Sequence, residues 1–309
     1  MIELKNVTKK FGNYTAVDNV SFKIEKGEIV GFLGQNGAGK TTTMKLITGI
    51  LVPSEGEVLI DGNKLNGDCK EKIGYMPENI PLYEKLTVKE FINFMAELKK
   101  IKKAERQESV SRLIKQLNLE SVENSLIKNI SRGYKQRVSL AGTLIGNPEI
   151  LILDEPTVGL DPKQIIEIRN LIKSLKENHT ILLSSHILSE VNQICEKVII
   201  INDGKIVAVD TPNNLENKIS NNIINVIVED PHNNMERACK NISEILDVKL
   251  IRNDKKDKKY ELKIKEKLDI RKKIFNELSK HDITVVELSK EESTLEEVFM
   301  NFIKEEGEN

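Results

Sequence analysis

The sequence predicts an α/β fold, a mainly parallel sheet interleaved with helices, followed by a smaller α+β unit. Three observations carry this. Short apolar runs such as Ile29–Leu33 and Ile150–Leu153 read as strands buried on both faces. Stretches with apolar residues three and four apart separate them, as helical crossovers between parallel strands require. A glycine-rich loop, residues 34–41, follows one such strand and precedes a helical stretch.

Taken in order, short strands are expected over residues 2–7, 15–17 and 20–24, punctuated by Gly12 and Gly27. The buried strand 29–33 leads through the glycine loop into a helix over 41–50. Further strands are expected at 58–61 and 73–76. Residues 87–128 turn helical, with Phe91, Phe94, Met95 and Leu98, then Val110, Leu113, Ile114 and Leu117, on helical spacing. Strands 150–153 and 180–183 flank a helix over 163–177. The pattern breaks at Asp210-Thr211-Pro212-Asn213-Asn214, which places a boundary near Asn217. Beyond it come a strand (223–228), a helix (235–245), strands 248–251 and 260–264 and a helix (269–279). A strand (283–288) and a last helix (295–303) follow. That β-α-β-β-α-β order suggests a ferredoxin-like split fold for residues 217–309.

Composition excludes several classes. The 309 residues carry a formal net charge of -1, so overall charge gives no argument for nucleic acid as a partner. Three scattered cysteines, Cys69, Cys195 and Cys239, form neither a disulfide framework nor a metal-site pattern and suit a reducing cytoplasm. No apolar stretch approaches the ~18 residues of a membrane span, and residues 1–12 alternate apolar with polar, unlike a signal peptide. Any membrane contact is therefore expected through a partner.

The chemistry concentrates in a few segments. Gly34-Gln35-Asn36-Gly37-Ala38-Gly39-Lys40-Thr41 matches the phosphate-binding pattern G-x-x-x-x-G-K-[ST], with Thr42 next in the helix. Glycines let successive N–H groups turn toward phosphate oxygens, and the following helix adds its positive end. Lys40 is expected to reach the β- and γ-phosphates of a nucleotide, and the Thr41 hydroxyl to bind Mg²⁺. The strand 150–153 ends in Asp154 and Glu155. Beside a phosphate loop, Asp154 is placed to hold Mg²⁺ and Glu155 to orient or deprotonate the attacking water.

Ile130-Ser131-Arg132-Gly133-Tyr134-Lys135-Gln136-Arg137 lies shortly before that acidic strand and looks like a variant of L-S-G-G-Q. With it, residues 2–215 resemble the ABC ATPase family. The resemblance implies a P-loop NTPase core with an antiparallel β subdomain and a helical subdomain near 87–146, within a nucleotide-binding domain of residues 1–216. It places Ser131 and Gly133 at the helix end that faces the γ-phosphate bound by another subunit. Arg132 and Tyr134 depart from the family's glycine and glutamine. Gly159-Leu160-Asp161 resembles the loop that crosses the dimer interface, with Asp161 at the nucleotide. His186 falls where the family's switch histidine contacts the γ-phosphate.

Phe11 matches the aromatic position on which adenine stacks, although Tyr14 competes for that role and a core phenylalanine is the plain alternative. Glu78 stands where the family carries a glutamine that touches Mg²⁺ and the water, so it is expected at the catalytic and metal site with an added negative charge. Ile80, Leu82, Tyr83, Leu86 and Val88 follow; partner contact and core packing both account for them. The tail 293–299 resembles that of exporter ATPases for drugs, antibiotics and sodium.

The expected protein is thus an ATP-hydrolysing subunit with ATP and Mg²⁺ as ligands. It would form a homodimer or heterodimer and drive export through separate transmembrane permease subunits, at the inner face of the membrane. A soluble relative acting on ribosomes or DNA is the alternative. Such ribosome-acting members carry two ATPase units per chain and chromosome-type members long coiled coils; neither is present here. A regulatory module without turnover is disfavoured by Glu155 and His186.

Overall fold

The computed structural model describes residues 1–79, 81–219, 223–230, 233–254, 257–265 and 269–290. The expected helix 295–303, the tail 293–299 and Ile80 lie outside the described residues. The chain forms two compact units, Met1–Pro212 and Asn213–Asn309, so the division falls a few residues before Asn217.

In the first unit, β1 (Ile2–Phe11) and β2 (Tyr14–Ile24) form a long hairpin, followed by β3 (Ile29–Leu33) and α1 (Lys40–Ile47). Then come β4 (Glu55–Ile60), β5 (Asn63–Lys64), α2 (Gly67–Glu71) and β6 (Ile73–Met76). Helices α3 (Val88–Leu98), α4 (Lys103–Gln116) and α5 (Arg132–Leu144) precede β7 (Ile150–Leu153) and α6 (Pro162–Leu175). The unit closes with β8 (Thr180–Ser185), α7 (Leu188–Ile194), β9 (Lys197–Asn202) and β10 (Lys205–Asp210).

The hairpin is longer than its alternation suggests because register shifts between Leu4 and Val7 and between Val7 and Lys9 interrupt the period of two. What reads as two strands on either side of Asp18 and Asn19 is one. With β4 and β5 they make an antiparallel sheet of order β2-β1-β4-β5.

A second sheet has the order β10-β9-β3-β8-β7-β6, parallel except for β10. Strands β9 and β10 extend the expected set. Their register pairs Leu33 with Ser185, and Leu153 with both Leu183 and Met76. The glycine loop, Asp154, His186 and the Glu78 segment therefore all leave the same carboxyl edge, where open α/β sheets bind ligands. One core cluster joins the two sheets through Ile2, Ile24, Phe32, Met44, Ile152 and Ile201, all fully buried.

The helical stretch 87–128 is two helices. A capping box fixes the first start: Glu90 N–H donates to Thr87 Oγ1 and Thr87 N–H to Glu90 Oε2. Lys100, at φ 56, turns the chain between α3 and α4.

After α8 (Pro212–Ile219), the second unit contains β11 (Ile223–Glu229), α9 (Met235–Lys240), β12 (Ile245–Asn253) and β13 (Lys258–Ile264). It continues with α10 (Arg271–Lys280) and β14 (Thr284–Lys290). The helix at Met235 ends five residues earlier than its apolar spacing suggests, and Ile245 instead starts β12. The sheet order is β12-β13-β11-β14 with every pair antiparallel, so each βαβ unit is split by a strand of the other. Ile224, Val226, Val228, Leu262, Ile274 and Leu278 are wholly buried in its core. Each such side chain contributes roughly 1.5–3 kcal/mol.

Candidate nucleotide site

Apolar strand β3 delivers the chain into a loop that only glycine-rich sequence can follow. Gly37 and Gly39 sit at φ 88 and 105, and a Cβ on Gly39 would stand 2.6 Å from Ala16 O. Lys40, 6% exposed, opens α1 and folds back over the loop: its Nζ donates to Gly34 O at 2.7 Å and Gln35 O at 3.2 Å.

A cleft of about 390 Å³ opens over this loop. Of the expected residues, Phe11, Asn36, Gly37, Gly39, Lys40, Thr41, Thr42, Glu78 and Glu155 line it, joined by Tyr14, Ala16 and Gln35. Phe11 is 47% exposed and Tyr14 61%, so neither is a core aromatic. Gly34 and Ala38 lie behind the wall. A Cβ on Gly34 would meet Ile201 O at 2.5 Å, the Ala38 side chain belongs to the core, and the Ala38 N–H donates to Gln35 O.

The acidic end of β7 is held from two sides. Glu155 has a left-handed backbone, φ 50, which is costly for a residue with a long side chain. Its N–H donates to Ser184 Oγ at 2.8 Å, and Ser184 Oγ donates to Asp154 Oδ1 at 2.6 Å. Glu155 Oε2 lies 2.8 Å from His186 Nδ1, and Glu155 Oε1 lies 3.5 Å from Lys40 Nζ. Asp154 Oδ2 and Glu155 Oε1 are buried without a hydrogen-bond partner. Oxygens left without a hydrogen bond are the hard donor type Mg²⁺ takes; Thr41 and Glu155 line the cleft, whereas Asp154, 1% exposed, lies behind its wall. Tyr75 packs nearby: burial first, then the charges of Asp154 and Glu78, push its hydroxyl up to about 12.

Ser131, Gly133 and Asp161 lie elsewhere, lining a separate cleft of about 190 Å³ with Arg137, Gln164 and Glu167. Ser131 caps α5 by accepting from Tyr134 N–H at 3.4 Å, and Asp161 caps α6 by accepting from Gln164 N–H at 2.9 Å. Arg137 pairs with Glu167 across the two helices. Arg132, the departure from the family pattern, rests its guanidinium against Gly159. The two clefts are separate, and the structure does not bring Ser131 to its own phosphate loop.

Several residues that support the phosphate-loop cleft carry little or no signal in the sequence. Ser184 is one; the pair of hydroxyls ending an otherwise apolar strand was its signal. Gln136 Nε2 donates to Pro156 O at 2.6 Å, and Thr157 Oγ1 donates to buried Glu190 at 2.5 Å. Those contacts span 20 and 33 residues of chain, and no local pattern marks them.

A family profile described as "ABC transporter" matches residues 17–158. The probable multidrug ABC transporter ATP-binding protein YbhF of Escherichia coli K12 is 36% identical over 242 residues, 77% of this chain but only 41% of that protein. The linearmycin resistance ATP-binding protein LnrL of Bacillus subtilis 168 is 30% identical over 310 residues, 97% of each chain. Among solved structures, the dimeric ATP-binding cassette MJ0796, described in a post-hydrolysis state with ADP and Pi, superposes with a TM-score of 0.62. It is 31% identical, over 68% of this chain and 98% of that one. Among the described residues, no helix is long and apolar enough to cross a membrane.

Proposed function

The chain belongs to the family of ABC transporter ATP-binding proteins, and from that premise we propose that it binds and hydrolyses MgATP as the motor subunit of an exporter. The observation that carries this is the convergence on one cleft of Lys40, the Gly37 and Gly39 turns and the Glu155 carboxylate, with His186 bonded behind. Lys40 and the loop N–H groups would hold the triphosphate, and Phe11 or Tyr14 the adenine. Thr41, Asp154 and Glu78 would hold Mg²⁺, which supplies charge neutralisation at the phosphates. Glu155 would take the proton of the attacking water, and His186 Nδ1 orients that carboxylate through Oε2.

Separation of the Ser131 cleft from the phosphate loop, and the dimeric state of the similar cassette MJ0796, support a dimer in which the Ser131 helix of one subunit seals the triphosphate on the other. Loss of the γ-phosphate would then free the halves, and the motion would pass to separate permease subunits at the inner face of the membrane. The names of YbhF and LnrL support export of drug-like or antibiotic cargo. The testing experiment mixes the purified chain with MgATP, measuring phosphate release and mass by light scattering. Turnover with an ATP-dependent dimer is expected; neither binding nor turnover would end the reading.

A further inference from the structure

Strand β8 runs apolar through Ile181, Leu182 and Leu183 and then buries a hydroxyl. Ser184 has no exposed surface and sits level with Phe32 of β3. A buried hydroxyl is tolerated only when its hydrogen and a lone pair are both used. Here one hydrogen goes to Asp154 Oδ1 at 2.6 Å, and one lone pair accepts the Glu155 N–H at 2.8 Å.

We propose that Ser184 is the positioning residue of the hydrolytic carboxylates, an inference that rests on the ATPase reading above. Its bridge does two things at once. It occupies Asp154 Oδ1, so the other oxygen, Oδ2, is the one left without a partner. It also holds the Glu155 backbone at φ 50, from which the side chain reaches His186 on one oxygen and Lys40 on the other. Ser184 does not line the nucleotide cleft, so it acts on the chemistry only through Asp154 and Glu155. A side chain that orients metal-binding and base carboxylates in this way governs metal dependence and turnover, not the grip on the nucleotide.

The test compares Ser184→Ala, Ser184→Cys and Ser184→Thr with the parent chain. Phosphate release is measured, together with ATP affinity in EDTA and in Mg²⁺. Ser184→Ala is expected to lower kcat, and the affinity gained on adding Mg²⁺, by about 10- to 100-fold, with ATP affinity in EDTA unchanged. Ser184→Cys, close in size but a poor donor, should lose as much, and it carries the test if the alanine variant does not fold. Ser184→Thr keeps the hydroxyl and should restore most of the rate. Parental kcat and Mg²⁺ dependence in the alanine and cysteine variants would overturn the proposal. So would a threonine variant no better than alanine, or EDTA affinity falling in step with turnover. If the parent itself neither binds nor hydrolyses MgATP, the ATPase reading fails and takes this inference with it.

Discussion

Glu155 reaches two partners from opposite sides: His186 Nδ1 lies 2.8 Å from Oε2, and Lys40 Nζ lies 3.5 Å from Oε1. One carboxylate thus links the phosphate loop to the segment after β8. Glu155→Gln keeps the shape and an acceptor oxygen but removes the charge and the basicity. It should bind MgATP normally and turn over about 10²–10⁴ times more slowly, as loss of a general base does. Phosphate release gives the rate, and light scattering should show an ATP-bound dimer that persists. Unchanged turnover would remove Glu155 from the mechanism.

Lys40 is nearly buried and spends its hydrogens on the carbonyls of its own loop, Gly34 and Gln35. A triphosphate offers it stronger, charge-assisted acceptors. Lys40→Ala should weaken ATP binding by ~2–4 kcal/mol. Because Lys40 also faces Glu155, the double variant with Glu155→Gln should be less than additive in thermal stability. Calorimetric titration and melting curves read both, and parental ATP affinity in Lys40→Ala would refute the assignment.

Much of this site was legible because its parts are local. A glycine loop between strand and helix, or two carboxylates ending an apolar strand, are encoded in contiguous residues, and a parallel sheet brings such strand ends to one edge. The hidden parts are contacts between distant segments. Ser184 meets Asp154 across 30 residues, and nothing in either segment names the other. Phe11 is set ahead of Tyr14 by the resemblance alone, and the β1–β2 turn presents both to the cleft. Strands β9 and β10 were readable in principle: two apolar runs flank Asp203-Gly204, a strong hairpin signal. The extent of β1 was not, since bulges break the alternation on which reading a strand depends.

The adenine position is testable on those two aromatics. Both rings are exposed in the cleft, and Lys9 Nζ sits 5.2 Å from the Phe11 ring centre. Phe11→Ala should cost ~1–3 kcal/mol of ATP affinity, the usual worth of a base stack. Tyr14→Ala should cost less, and inorganic triphosphate should bind both variants as it binds the parent. The reverse ranking would transfer the role to Tyr14.

Two glycines separate the two clefts by experiment. Gly39 sits at φ 105, and an added Cβ would meet the backbone oxygen of Ala16 at 2.6 Å, which has little room to move. Gly39→Ala should therefore cost about 1–3 kcal/mol of stability and lose nucleotide binding with it. At Gly133 the three atoms nearest an added Cβ all belong to the Gln164 side-chain end, at 2.7–3.0 Å, and that flexible group can swing aside. Gly133→Ala should fold with a parental melting temperature and bind ATP as a single chain with parental affinity. The methyl group and the displaced Gln164 would crowd the cleft shared with Ser131 and Asp161, where the second subunit's triphosphate is proposed to dock. ATP-dependent dimerisation and turnover should then fall together while binding survives. If Gly133→Ala dimerises and turns over like the parent, the cleft at the head of α5 is not the closing half of the site.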